Sequence, residues 1–155
     1  MKEGNKMMDM AKTHAASTNP AAQTAPSEVP EVFRLVADWR ATLRDFMSAS
    51  KEILRKHEVT SMQYQTLLAI RISDEPEGIS MNGLAAYLGV RHNSAVGLIN
   101  RLEAHGLVMR ARSQRDRRVA HLRLTEEGEN VLEVLAEAHG QELNRIRPEM
   151  RRIFK

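Results

Sequence analysis

Between His92 and His105 two sets of residues interleave at three- and four-residue steps. Ala95, Leu98, Ile99 and Leu102 form an apolar stripe, and Asn93, Gly97, Asn100 and Ala104, flanked by Ser94, Val96 and Arg101, fall on the opposite side. A helix over this segment therefore buries the first set and displays the second, with Gly106 at its C′ position. The displayed set suits a DNA major groove. Asn amides can pair with adenine N6 and N7, Arg101 can reach a guanine or a phosphate, and small Gly97 and Ala104 let the backbone approach closely. A merely solvated helix face usually carries more Lys and Glu than this one.

A second candidate lies just downstream. Arg112, Arg115, Arg117 and Arg118 cluster around Ser113–Arg117, a stretch with the composition of a loop tip. Guanidinium groups on a protruding ribbon can enter a narrow minor groove, where negative potential is concentrated. Asp116 has the wrong charge for a DNA contact, but it can pair with a neighbouring Arg and fix that side chain before binding. The competing reading is a salt-bridged surface turn. Charge along the chain is segregated in the same sense. Residues 84–123 hold eight Arg against Glu103 and Asp116, a surplus of six, whereas the remainder has 15 basic and 18 acidic residues. Clustered Arg of this kind supplies most non-specific affinity for a polyanion.

These side chains need a scaffold. From Pro30 onward Val32, Val36, Trp39, Leu43, Phe46 and Ile53 recur at helical spacing, predicting a long amphipathic helix to about Arg55. It exceeds what a small domain needs for its own core, so part of its stripe is expected to serve a partner chain. Thr60-Ser61-Met62-Gln63 has capping-box spacing and opens a second helix that turns Tyr64, Leu67, Leu68 and Ile72 inward before the Asp74–Gly78 break. Ser80 caps a short helix with Leu84, Ala85 and Leu88, and Gly89 supplies the tight turn into the His92–His105 helix. After Gly106 the period becomes two. Leu107, Met109 and Ala111 alternate with Val108, Arg110 and Arg112, and Ala120, Leu122 and Leu124 with His121 and Arg123, which predicts a two-stranded hairpin. Thr125-Glu126-Glu127 starts a last long helix striped by Val131, Leu132, Leu135, Ala138, Leu143 and Ile146, which Pro148 either breaks or follows with a short terminal helix.

Composition narrows the function classes. At 155 residues the chain accommodates one globular domain, and without Cys it has no disulfides, thiolate chemistry or cysteine-based zinc sites. No apolar run approaches the roughly 18 residues of a bilayer span, and the mixed-charge N-terminus lacks a secretory apolar stretch, so no membrane partner and a cytoplasmic location are expected. There is no Gly-rich phosphate loop, no H-E-x-x-H and no nucleophile with an evident base, so an enzyme is not expected. His57-Glu58 and His139 with Glu142 are the only arrangement resembling a metal site, and they form no tight ligand cluster. Neither metal nor cofactor is expected.

Leu84-Ala85-x-x-Leu88-Gly89-Val90, Arg101-Leu102-Glu103-x-x-Gly106-Leu107-Val108-x-Arg110, Asp116-Arg117-Arg118 and Leu124-Thr125-x-x-Gly128 follow one another in an order and spacing that resemble the MarR family signature. The resemblance covers roughly residues 30–155. It implies a mainly α fold with a small β-hairpin wing. Residues 59–125 would be a winged helix-turn-helix lobe, flanked by N- and C-terminal dimerisation helices at 30–58 and 126–155, behind a disordered tail at 1–29. It further implies a homodimeric transcription regulator, more often a repressor, on palindromic double-stranded DNA. His92–Ala104 would be the recognition helix, presenting His92, Asn93, Ser94, Gly97, Asn100 and Arg101. Arg118 would be the minor-groove arginine, oriented by Asp116. Arg91 stands where the family often has a Ser or Asp cap, which implies a recognition helix opening on a phosphate-contacting Arg. Members commonly respond to small aromatic or anionic effectors bound between the dimer helices and the DNA-binding lobe. Trp39, Arg40, Phe46, His57 and Tyr64 have matching chemistry, although each is also an ordinary residue at helical spacing. Two other readings remain: a winged-helix protein-interaction module that does not touch DNA, and sequence-tolerant architectural binding.

Overall fold

The computed structural model describes residues 29–75, 77–112 and 120–155. Residues 1–28 of the tail expected over 1–29, and the tip residues Arg115, Asp116, Arg117 and Arg118, lie outside the described residues. Helix α1 spans Glu31–Lys56, α2 Ser61–Arg71, α3 Met81–Leu88, α4 His92–Ala104 and α5 Glu126–Ile153. Three short strands complete the architecture: β1 Ile79–Ser80, β2 Val108–Arg112 and β3 Ala120–Leu124.

Local chemistry accounts for most of these boundaries. The capping box at α2 is complete, with Thr60 Oγ1 accepting from Gln63 N–H and Gln63 Oε1 accepting from Thr60 N–H. Ser80 and Thr125 cap α3 and α5 through the N–H groups of Gly83 and Gly128. Gly89 adopts the left-handed conformation, φ 64°, which ends α3 and reverses the chain into α4.

The lobe core is formed by Leu67, Leu84, Ile99, Leu102 and Leu122, all fully enclosed, with Ile70, Ile79, Val108 and Leu132 around them. Burying each such side chain contributes on the order of 1.5–3 kcal/mol. Strand order is β1-β3-β2, antiparallel throughout. Ile79 pairs with Leu122 and Val108 with Leu124, so α2, α3 and α4 are closed off by the sheet.

Five details depart from the sequence expectations. The hairpin has a third strand, β1, too short at two residues to show any periodicity. On β2 the buried member is Val108, while Met109 is exposed. Ile72 is exposed because α2 ends one residue earlier and Ile70 takes the inward position. Pro148 neither breaks the last helix nor starts another: α5 is continuous. Pro148 and Asn144 are both exposed, so the carbonyl that loses its N–H partner can be solvated, and buried Ile146 and Ile153 hold the helix on either side. Leu143, placed on the α5 stripe by spacing, is also exposed, whereas His139 is buried there.

The long helices pack on each other, α1 along α5, and leave much apolar surface open. Val32, Phe33, Leu35, Val36, Leu43 and Met47 on α1 and Leu143 and Phe154 at the far end are all exposed.

Candidate nucleic-acid interface

Helix α4 is fixed from beneath by Ala95, Leu98, Ile99 and Leu102. That leaves His92, Asn93, Ser94, Asn100, Arg101 and Ala104 exposed on the outer side, with Gly97 half-buried among them. The sequence-predicted face is thus brought together on one surface. A Cβ built at Gly97 would meet nothing within 4 Å, so the fold itself leaves that position open.

The start of α4 has the chemistry expected of an unusual cap. Arg91 occupies the N-cap with extended backbone, φ −69° and ψ 149°, and makes no side-chain cap hydrogen bond. A guanidinium has no acceptor with which to cap the helix, so the N–H groups of the first turn stay open beside it, where an anion could meet both. His92 Nδ1 lies 2.8 Å from Asn82 Oδ1, tying the helix to α3. Among the described residues, no carboxylate lies within ion-pair distance of Arg91, Arg101 or Arg112.

Arg110 behaves differently. Its Nη1 donates to Glu103 and its Nη2 donates to Asn100 Oδ1 at 2.8 Å, so this guanidinium is neutralised and joins β2 to α4. Arg110 is one of the basic residues of the segment but not one of the sequence-predicted contacts. The packing of β2 against α4 brings it there, and no local spacing marks the contact.

The sheet is tied down on its other edge as well. His121 Nδ1 donates to the Gly78 carbonyl at 2.6 Å, its Nε2 lies 3.4 Å from Glu77, and Arg123 Nε donates to the Glu77 carbonyl at 3.0 Å. At Gly78 φ is 96° and a Cβ would lie 2.5 Å from the Leu122 carbonyl oxygen, so the loop passes directly over β3. Nothing local in the sequence marks these contacts, since the partners are more than forty residues apart.

The Leu-Thr-x-x-Gly motif also has a physical account. Thr125 Oγ1 donates to the Gly106 carbonyl at 2.6 Å while accepting from Gly128 N–H at 3.0 Å, and Thr125 N–H donates to the Leu107 carbonyl. Gly128 lets Leu107 approach, because a Cβ there would lie 2.0 Å from its carbonyl oxygen. The turn after the candidate recognition helix is thereby welded to the start of α5.

Residues considered for an effector do not assemble into one pocket. Trp39 packs edge-on against Phe154 at 5.3 Å. Phe46 and Tyr64 both pack on His139, Tyr64 stacked at 4.5 Å, and burial raises the Tyr64 hydroxyl above the ordinary tyrosine range. His139 itself donates from Nδ1 to the Leu135 carbonyl at 2.7 Å, and Ser50 Oγ lies 2.9 Å from Nε2, so both ring nitrogens are occupied. Glu142 pairs with Arg145. A cavity of about 540 Å³ does lie between α1 and α2, lined by Met47, Leu54 and Val59 with Lys51 and Arg55 among its polar residues.

Helices α2, α3 and α4 packed on a three-stranded sheet, with α4 exposed on its outer face, define a winged helix-turn-helix lobe. Residues 57–119 match the model of the MarR family. It is 37% identical over 79 residues to the transcriptional activatory protein BadR of Rhodopseudomonas palustris, covering 51% of this chain and 45% of BadR. Over 83 residues it is 30% identical to the homoprotocatechuate degradative operon repressor of Escherichia coli, covering 54% of each. The chain thus spans about half the length of the curated relatives it matches. Its fold resembles that of S. aureus MepR in a MepR–DNA complex, with TM-score 0.61, 18% identity and coverage of 79% of this chain and 85% of that one.

Proposed function

We propose that this protein is a sequence-specific double-stranded DNA-binding transcription regulator, acting as a homodimer on a palindromic site. The observation that carries the proposal is the outer face of α4, where Asn93, Ser94, Gly97, Asn100 and Arg101 sit together beside Arg91 and Arg112, cations with no carboxylate partner among the described residues. Such a face combines base-edge donors and acceptors with phosphate-neutralising charge. MepR, of the same fold, is seen bound to DNA, and the curated relatives act in transcription. Arg115, Arg117 and Arg118 would add minor-groove contacts from the wing, with Asp116 orienting Arg118.

The homodimer rests on the open apolar surface of α1 and the end of α5, and two recognition helices about 34 Å apart would each read a half-site. Repression follows if the bound dimer covers promoter DNA. Relief by a small amphiphilic anion is supported by the α1–α2 cavity, whose apolar lining carries Lys51 and Arg55. No helix among the described residues is long and apolar enough to cross a membrane, and we place the protein in the cytoplasm, with the DNA it would bind.

The test is titration of the purified protein against its own upstream intergenic DNA, with unrelated competitor present, from low to moderate salt. Tight, competitor-resistant binding at two molecules per site supports the proposal. Absence of binding at low salt overturns it in favour of a protein-interaction module, and salt-sensitive binding without base preference would make it an architectural protein.

A further inference from the structure

We propose that Arg110 is a specificity-positioning residue: it locks the Asn100 amide with its N–H₂ outward, so that this position on α4 reads guanine rather than adenine. This rests on the DNA-binding reading above and adds to it a defined hydrogen-bond polarity at one position.

The argument begins with donor and acceptor types. A guanidinium has five N–H donors and no acceptor, so the Asn100 atom 2.8 Å from Arg110 Nη2 can only be the carbonyl oxygen. The opposite amide orientation would set two donors against each other. Arg110 is not free to follow a rotating Asn100, because its Nη1 is held by Glu103, one turn further along the same helix. Its backbone is fixed too, since Arg110 pairs with fully buried Leu122 in the sheet and lies two residues beyond buried Val108.

A charge-assisted hydrogen bond therefore engages one lone pair of the oxygen and draws it toward Arg110, leaving the amide nitrogen as the donor that exposed Asn100 can present. Bidentate pairing with adenine needs an Asn that offers its oxygen to N6–H₂ and its nitrogen to N7. The oxygen keeps a second lone pair, but the bond it already takes from a cation makes it a poorer acceptor for N6–H₂, whereas the two N–H donors of Asn100 have no partner among the described residues. Guanine presents two acceptors, O6 and N7, on its major-groove edge, and is the base best matched to an outward amide donor. Cytosine, which presents N4–H₂, is the worst matched. The sequence alone pointed Asn100 at adenine; the clamp reverses that expectation.

A purely structural Arg110 would change affinity for every sequence alike, and this difference makes the test. The full chain is used to select sites from randomised duplexes, and each half-site position is then permuted at fixed salt. The wild type is expected to show one position where guanine exceeds adenine by about tenfold or more. Arg110→Leu should bring that ratio to about one while leaving preferences elsewhere intact, whatever it does to overall affinity. Asn100→Asp keeps an oxygen for Arg110 but presents an acceptor outward, and should move the preference to cytosine. A guanine preference that survives either substitution overturns the inference. Side-chain amide NMR of Asn100 in the free protein separates the two failures. If the amide resonances respond to Arg110→Leu but no DNA is bound, the DNA-binding reading fails; if they do not respond and DNA is bound, the clamp alone fails.

Discussion

The winged lobe and the long terminal helices solve the burial problem in opposite ways. In the lobe, three helices and a three-stranded sheet enclose Leu67, Leu84, Ile99, Leu102 and Leu122 completely, and the polar residues of α4 face outward. Along α1, Thr42 and Leu54 are the buried residues, while six large apolar side chains from Val32 to Met47 remain open. The lobe is complete within one chain, whereas the terminal pair has more apolar surface than one chain covers. Exposed apolar surface gathered on one element in this way marks an interaction site, and in the proposed homodimer a second copy covers it.

The contrast can be broken or sharpened by substitution, beginning with the largest expected effect. Leu102→Ala opens a cavity in the closed core and should destabilise the protein by roughly 2–5 kcal/mol, read from chemical denaturation. A loss below that range would mean the lobe core is looser than its burial indicates. Gly128→Ala tests the weld between the lobe and α5. Its Cβ meets backbone rather than a flexible side chain, so a cost of at least about 2 kcal/mol is expected in the same experiment, and tolerance would show that Leu107 is not held where it lies here.

Ser50→Ala probes the terminal pair from inside. It leaves one nitrogen of buried His139 without its partner between α1 and α5, and should cost about 1–3 kcal/mol, visible as a lower melting temperature. A neutral result would mean that water replaces the hydroxyl. Val36→Asp is expected to have the smallest effect on folding of a single chain, within about 0.5 kcal/mol, because Val36 is exposed. In sedimentation or light scattering it should nevertheless shift the protein toward monomer. If the wild type is already monomeric, the proposed covering of α1 by a second copy is wrong.

Much of this architecture was legible along the chain because its signals are local. The Thr60 capping box, the Ser80 and Thr125 caps, the Gly89 turn and the Ala95-Leu98-Ile99-Leu102 stripe each act within a few residues, and each occurs where its spacing predicts. Because that stripe fixes which side of α4 is buried, the exposed face was legible as well. β1 was not, since two residues carry no period and owe their strand conformation to pairing with β3. Pro148 was misleading for a related reason: its local cost is real, but burial of Ile146 and Ile153 on either side decides that the helix continues.

The sequence by itself determined which residues α4 displays, because helical periodicity and burial act on one segment. Only the tertiary structure decided how they are oriented. The Arg110 clamp on Asn100, the His92 contact with Asn82 and the tether of His121 to Gly78 join residues ten or more positions apart. Hydrogen-bond direction depends on atoms meeting within about 3 Å, and residue spacing along a chain does not specify distances of that kind across elements.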